Sequence, residues 1–103
     1  MDEKETDLKI LRRVAKYLEM TEVDYPHVCI AIKCEAAAIG LAYEGPVSQR
    51  LCSEVEEFIY PYSTMEGYMK ATYNITARHK VLKMRQELIQ RMIEKREGHH
   101  GQA

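Results

Sequence analysis

The sequence predicts an all-α fold: a compact bundle of four to five helices with a central apolar helix over about 25–44 and a long basic helix over about 75–97. Apolar residues recur at spacings of three and four along most of the chain, and no run alternates as a half-buried strand would. Between the apolar series stand Pro, Gly, Ser and Thr, in positions that start or stop helices.

The first helix is expected to follow Thr6 and Asp7, a capping pair, because Leu8, Leu11, Val14, Ala15 and Leu18 then share one face. Lys9, Arg12, Arg13 and Lys16 occupy the opposite face, as on a solvated helix. Thr21 and Asp24 stand three apart like a capping box, and Pro26 suits the first turn of a second helix. That helix is read through Val28, Cys29, Ile30, Ala31, Ile32, Cys34 and Ala36–Ala38 to Tyr43, with Gly45 and Pro46 as its stop. It is apolar around nearly its whole circumference. Leaving such a surface in water costs about 25 cal/mol per Å², so the helix is expected at the centre of the bundle. The alternative is a second copy of the chain covering one side, which Ala36, Ala37, Ala38 and Gly40 would let approach closely.

A third helix is expected from Val47, with Leu51, Cys52, Val55, Phe58 and Ile59 on its apolar stripe and Pro61 as its breaker. Ser63 and Glu66 form a capping box for a short helix through Met65, Tyr68, Met69 and Tyr73. The last helix starts near Asn74 or Thr76 and buries Ile75, Val81, Leu82, Leu88, Ile89, Met92 and Ile93, with Gly98 as its end. The Asn74-Ile75-Thr76 triplet reads as that helix start rather than as a glycosylation acceptor.

With 103 residues, 46% hydrophobic and 30% charged, the chain has the balance of one ordinary globular domain, placed at 1–97, with 98–103 as a disordered tail. Met1 to Glu5 is too acidic for a signal peptide. Val28–Tyr43 is interrupted by Lys33 and Glu35 and is too short for the ~20 residues of a membrane span. Cys29, Cys34 and Cys52 form an odd set in apolar surroundings, which suits a reducing compartment, so a cytoplasmic location is expected.

Chemistry finds little footing in the sequence. Cys29 and Cys34 lie about 140° apart around a helix, and with Cys52, His27 and His79 they match no zinc spacing. His27 stands two residues before Cys29, on another face, so a Cys–His nucleophile would need His79 brought in by the fold. The five glycines are isolated, which leaves no phosphate loop, and His99 and His100 sit on the tail. Glu54 and Glu57 lack the Glu-x-x-His partner of a di-iron bundle and read as solvated. No catalytic residue, cofactor or metal is therefore expected, and the chain is read as non-enzymatic.

Charge and aromatic content point instead to recognition. Residues 1–24 hold five Lys/Arg against seven Asp/Glu, residues 25–73 three against six, and residues 74–103 seven against three, so the basic excess is confined to the last helix. Seven tyrosines against one phenylalanine is the compositional oddity, and most of them fall in the middle of the chain around Pro61. Tyrosine combines apolar contact with a polar tip, which suits surfaces covered only when a partner arrives.

The expected function is a small adaptor, regulator or inhibitor that docks onto a larger protein, alone or as a homo-oligomer, a type frequent in phages and mobile elements. Its expected contacts are Tyr60, Tyr62, Tyr68 and Met69, with Arg78, Lys80, Lys83 and Arg85 from the basic helix. The alternative is a nucleic-acid-binding regulator in which those four cations meet phosphates. The acidic first two-thirds of the chain weighs against it. Packing of the basic helix against the acidic ones would also absorb its charge.

Overall fold

The computed structural model describes residues 2–20, 28–59 and 75–98, without the side chains of Met20, Phe58, Ile59, Ile75 and Arg78. Among the described residues there are four helices and no strand. They are α1 (Glu3–Met20), α2 (Val28–Ala38), α3 (Pro46–Ile59) and α4 (Ile75–Glu97). The expected short helix through Met65 and Tyr73, the Thr21/Asp24 capping box and the 99–103 tail lie outside the described residues.

Helix α1 starts a full turn before the Thr6–Asp7 pair. Asp2 is its N-cap: the carboxylate accepts the Glu5 N–H at 2.8 Å, and the Asp2 carbonyl takes both the Thr6 N–H and the Thr6 hydroxyl at 3.0 Å. Asp2 and Glu5 stand three apart, as in a capping box, and Glu3 and Glu5 place negative charge at the positive end of the helix dipole. This earlier start leaves Asp7 inside the helix, on its buried side.

Helix α2 stops well short of Gly45. Gly40 takes φ +91°, its N–H bonds the Ala37 carbonyl at 3.0 Å, and the Leu41 N–H reaches back to the Ala36 carbonyl at 2.9 Å. That pair of bonds is a Schellman motif, which reverses the chain at the left-handed residue and folds Leu41 back against the core. The Gly45–Pro46 pair acts at the opposite end of the connector, as the start of α3. Gly45 caps by accepting the Gln49 N–H at 2.9 Å, and Pro46 takes the first helical position, where its missing donor is harmless. A Cβ at Gly45 would stand 2.9 Å from the Ala42 Cβ, so the turn also needs glycine for space. Helix α4 ends as its sequence predicts: Gly98 takes φ +77° and its N–H bonds the Glu94 carbonyl at 3.1 Å.

Helices α1 and α4 run antiparallel along their length. Gln86 donates to the Leu18 carbonyl at 3.1 Å near one end, and Arg96 bonds Asp7 at 3.0 Å near the other. Helices α2 and α3 form a hairpin laid against this pair, α2 on α1 and α3 on α4. One continuous core joins all four, with Ile10, Leu11, Val14 and Leu18 from α1, Val28, Ala31, Ile32 and Ala36 from α2, Leu51 and Val55 from α3, and Leu88, Ile89, Met92 and Ile93 from α4. Each large aliphatic side chain buried there contributes about 1.5–3 kcal/mol relative to exposure. The radius of gyration, 13.5 Å, is close to the ~13 Å of a compact chain of this size. No described helix is long and apolar enough to cross a membrane.

Candidate functional site

Helix α2 supplies the first candidate surface. Its buried residues, Val28, Cys29, Ala31, Ile32 and Ala36, cluster on one side, whereas Ile30, Cys34, Ala37 and Ala38 are exposed on the other. At 100° per residue those four fall in an arc of about 100° facing away from the core, and none is charged. Just past the Schellman cap, Tyr43 extends the surface. Ile30 is 37% exposed and Tyr43 44%, among the largest exposed hydrophobics of the described chain. The Lys33 ammonium stands 5.9 Å from the Tyr43 ring centre and 3.3 Å from Glu44, so the edge of the surface is charged and its middle apolar.

A second surface lies on α1. Lys9, Arg12, Arg13 and Lys16 are all exposed, at spacings that stack them in one stripe, with Tyr17 at its flank, 39% exposed. A shallow depression of about 450 Å³ is lined by Glu5, Leu8, Lys9, Arg12 and Arg13. A smaller one of about 270 Å³ is lined by Arg13, Lys16, Tyr17 and Glu35. Two of the four cations are already engaged, Arg12 with Glu97 of α4 at 2.6 Å and Arg13 with Glu35 of α2.

The residues that sequence reasoning selected are not drawn into one site. Tyr60, Tyr62, Tyr68 and Met69, and the side chain of Arg78, lie outside the described residues. Lys80 and Lys83 are exposed. Arg85, expected beside them, is instead buried, only 1% exposed. The reason is positional, because Arg85 falls four residues after Val81 and three before Leu88, in the middle of the buried stripe of α4. Arg96 likewise turns inward, four residues after Met92. Helix α4 thus spends part of its positive charge inside the molecule.

That charge meets a partner set reaching across three helices. The Asp7 carboxylate, 4% exposed, is held in a fork by Arg50 of α3 at 2.7 and 2.9 Å and by Arg96 Nε of α4 at 3.0 Å. Arg96 also grips Glu54 at 2.7 and 3.2 Å and the Met92 carbonyl at 3.2 Å, and Glu3 stands 3.6 Å from Arg50. Glu54 is therefore a structural partner rather than a solvated carboxylate. Burial alone would push the Asp7 carboxyl up, but the two guanidiniums outweigh it and hold it below the ordinary aspartate value of 3.8. The same contacts raise Arg50 through Asp7 and Arg96 through Glu54. The cluster is a packing device, since each of these side chains is satisfied by another across the helix contacts.

The thiols divide differently from their sequence spacing. Cys34 is exposed on the outward face of α2, while Cys29 and Cys52 are buried across the α2–α3 contact. The Cys29 Sγ lies 3.9 Å from the Cys52 carbonyl oxygen, and the Cys52 Sγ lies 3.7 Å from that of Cys29. Their hydrogen bond, with burial, raises the Cys29 thiol strongly; the same bond lowers Cys52 against the effect of burial. The pairing of residues 23 apart is set by the hairpin and has no signal in local spacing. His79 is exposed on α4, and His27 lies outside the described residues. Among the described residues no three His, Cys, Asp or Glu side chains are grouped to hold a metal.

Comparison with protein-family models, with curated proteins and with solved structures gives no match.

Proposed function

We propose that the protein is a small non-enzymatic adaptor, regulator or inhibitor that docks onto a larger protein. The observation that carries this reading is the outward face of α2, where Ile30, Cys34, Ala37 and Ala38 form an uncharged stripe with Tyr43 at its end. Exposed apolar arcs rimmed by charge are the surfaces that proteins use for one another. On this reading the partner completes the surroundings of α2, which becomes a central helix in the assembly. The basic stripe of α1 gives such a partner a charged rim to register on. The three free thiols fit a reducing, cytoplasmic setting.

The test compares the wild-type chain with Ile30→Glu as bait in an extract of the native cell, with solution mass measured on each. Ile30 is exposed, so the variant should keep its helicity and thermal midpoint and lose its captured protein. Capture should change little between 50 and 200 mM salt, whereas binding through phosphates would fall by about a thousandfold or more for six or more contacts. A wild-type homodimer that Ile30→Glu converts to monomer would make a second copy the occupant. Undiminished capture by the variant, or capture of nucleic acid that salt removes, overturns the proposal.

A further inference from the structure

The contact between α2 and α3 holds two thiols in reciprocal placement, each sulfur against the other residue's carbonyl oxygen, at 3.9 and 3.7 Å. Both sulfurs are on the inner sides of a helical hairpin, and they are unequally covered: Cys29 is 3% exposed and Cys52 8%. The third thiol, Cys34, is five residues along α2 from Cys29 and points outward, too far around the helix to compete for Cys52. A disulfide joins side chains whose Cβ atoms lie about 3.5–4.5 Å apart, and each sulfur here already lies within 4 Å of a backbone atom of the other cysteine.

We propose that Cys29 and Cys52 form an oxidative modification site: a dithiol that hydrogen peroxide converts to an intramolecular disulfide, clamping α2 to α3.

The step balances with peroxide as the only oxidant. The Cys52 thiolate attacks one peroxide oxygen, the O–O bond breaks, and hydroxide leaves, giving a sulfenic acid at Cys52. The Cys29 sulfur then displaces the sulfenic oxygen, the S–S bond forms, and the two thiol protons end in two molecules of water. Cys52 takes the first role because it is nearer solvent and because the neighbouring Cys29 thiol, with the Lys33 cation, favours its thiolate. Cys29, the more deeply buried, resolves. In a reducing compartment the bond would be transient, as oxidised pairs there are.

The test uses the full chain carrying Cys34→Ser, an exposed change that leaves the buried pair intact. The folded protein is treated with a few-fold excess of hydrogen peroxide, then unfolded and alkylated with a maleimide. Its intact mass and its proteolytic peptides are measured. The expected product has lost two hydrogens, takes no maleimide, joins the Cys29 peptide to the Cys52 peptide, and returns to two alkylated thiols after dithiothreitol. Its thermal midpoint should exceed that of the reduced form by several degrees, because the link closes a 24-residue loop in the unfolded chain. In Cys29→Ser/Cys34→Ser, a sulfenic-acid probe should label Cys52. Two alkylated thiols after peroxide, a sulfinic acid in place of the disulfide, or a disulfide between two molecules would each overturn the proposal.

Discussion

Asp7 shows how a single charged side chain can be committed to the fold. Its carboxylate sits at a core position of α1 and answers two guanidiniums from two other helices. Replacing it with Ala leaves Arg96, 12% exposed, without one of its two carboxylates, and Arg50 without its fork. Breaking a buried pair from one side typically costs 3–5 kcal/mol. Arg50 can still reach water, so a loss of roughly 2–4 kcal/mol is expected for Asp7→Ala in urea unfolding near neutral pH. The pH dependence follows from the depressed carboxyl. Asp7's pKa is lower folded than unfolded, so its contribution is complete above the ordinary value of 3.8 and disappears as pH falls through the folded value. The stability gap between wild type and Asp7→Ala should therefore hold at neutral pH and narrow below about pH 4. A gap unchanged at pH 2.5 would show that Asp7 acts through packing rather than charge. The cluster was partly legible in the sequence. Asp7 precedes Ile10, Leu11 and Val14 at helical spacings, and Arg96 follows Met92 by four, yet the sequence predicts a cap at Asp7 and an exposed contact at Arg85, on the same stripe as Val81 and Leu88. Which charge would meet which depended on helix packing, which spacing does not encode.

At the scale of the element, helix ends were less legible than helix centres. The apolar stripes of α1 and α4 are buried where periodicity puts them, because side-chain period depends only on helix geometry. The ends are decided by capping residues that compete. The sequence predicts that α2 stops at Gly45, but the helix ends at Gly40, whose left-handed conformation lets Leu41 return to the core while leaving room for a capped α3. Gly40→Ala should then destabilise the fold by about 1–2 kcal/mol, the cost of a side chain in the left-handed region, although a Cβ there would meet nothing within 4 Å. Thermal unfolding of the variant measures it. A loss under about 0.3 kcal/mol would mean that α2 can end elsewhere at no cost. The outward face of α2 was legible only as a question: a helix apolar all round needs cover on all sides, and the sequence left open whether that cover is the chain itself or something else.

The whole molecule depends on α1 and α4, which are most of a chain apart in sequence and run side by side. Leu88, Ile89, Met92 and Ile93 all belong to α4, and all enter the core shared by the four helices. A chain ending at residue 84 removes these four side chains. Each large-to-small change at such sites costs about 2–5 kcal/mol against a total stability of about 5–15 kcal/mol, so the truncated chain should show no cooperative thermal transition. A cooperative transition in that fragment would mean that the first three helices hold a core by themselves. The all-helical class was readable from periodicity, but the antiparallel partnership of first and last helices was not, because neither stripe carries a mark of its partner. That partnership also orders events during synthesis. While a ribosome is still making α4, Leu11, Val14 and Leu18 have emerged without that helix beside them, so the nascent protein leaves part of its core open until Ile93 has emerged too.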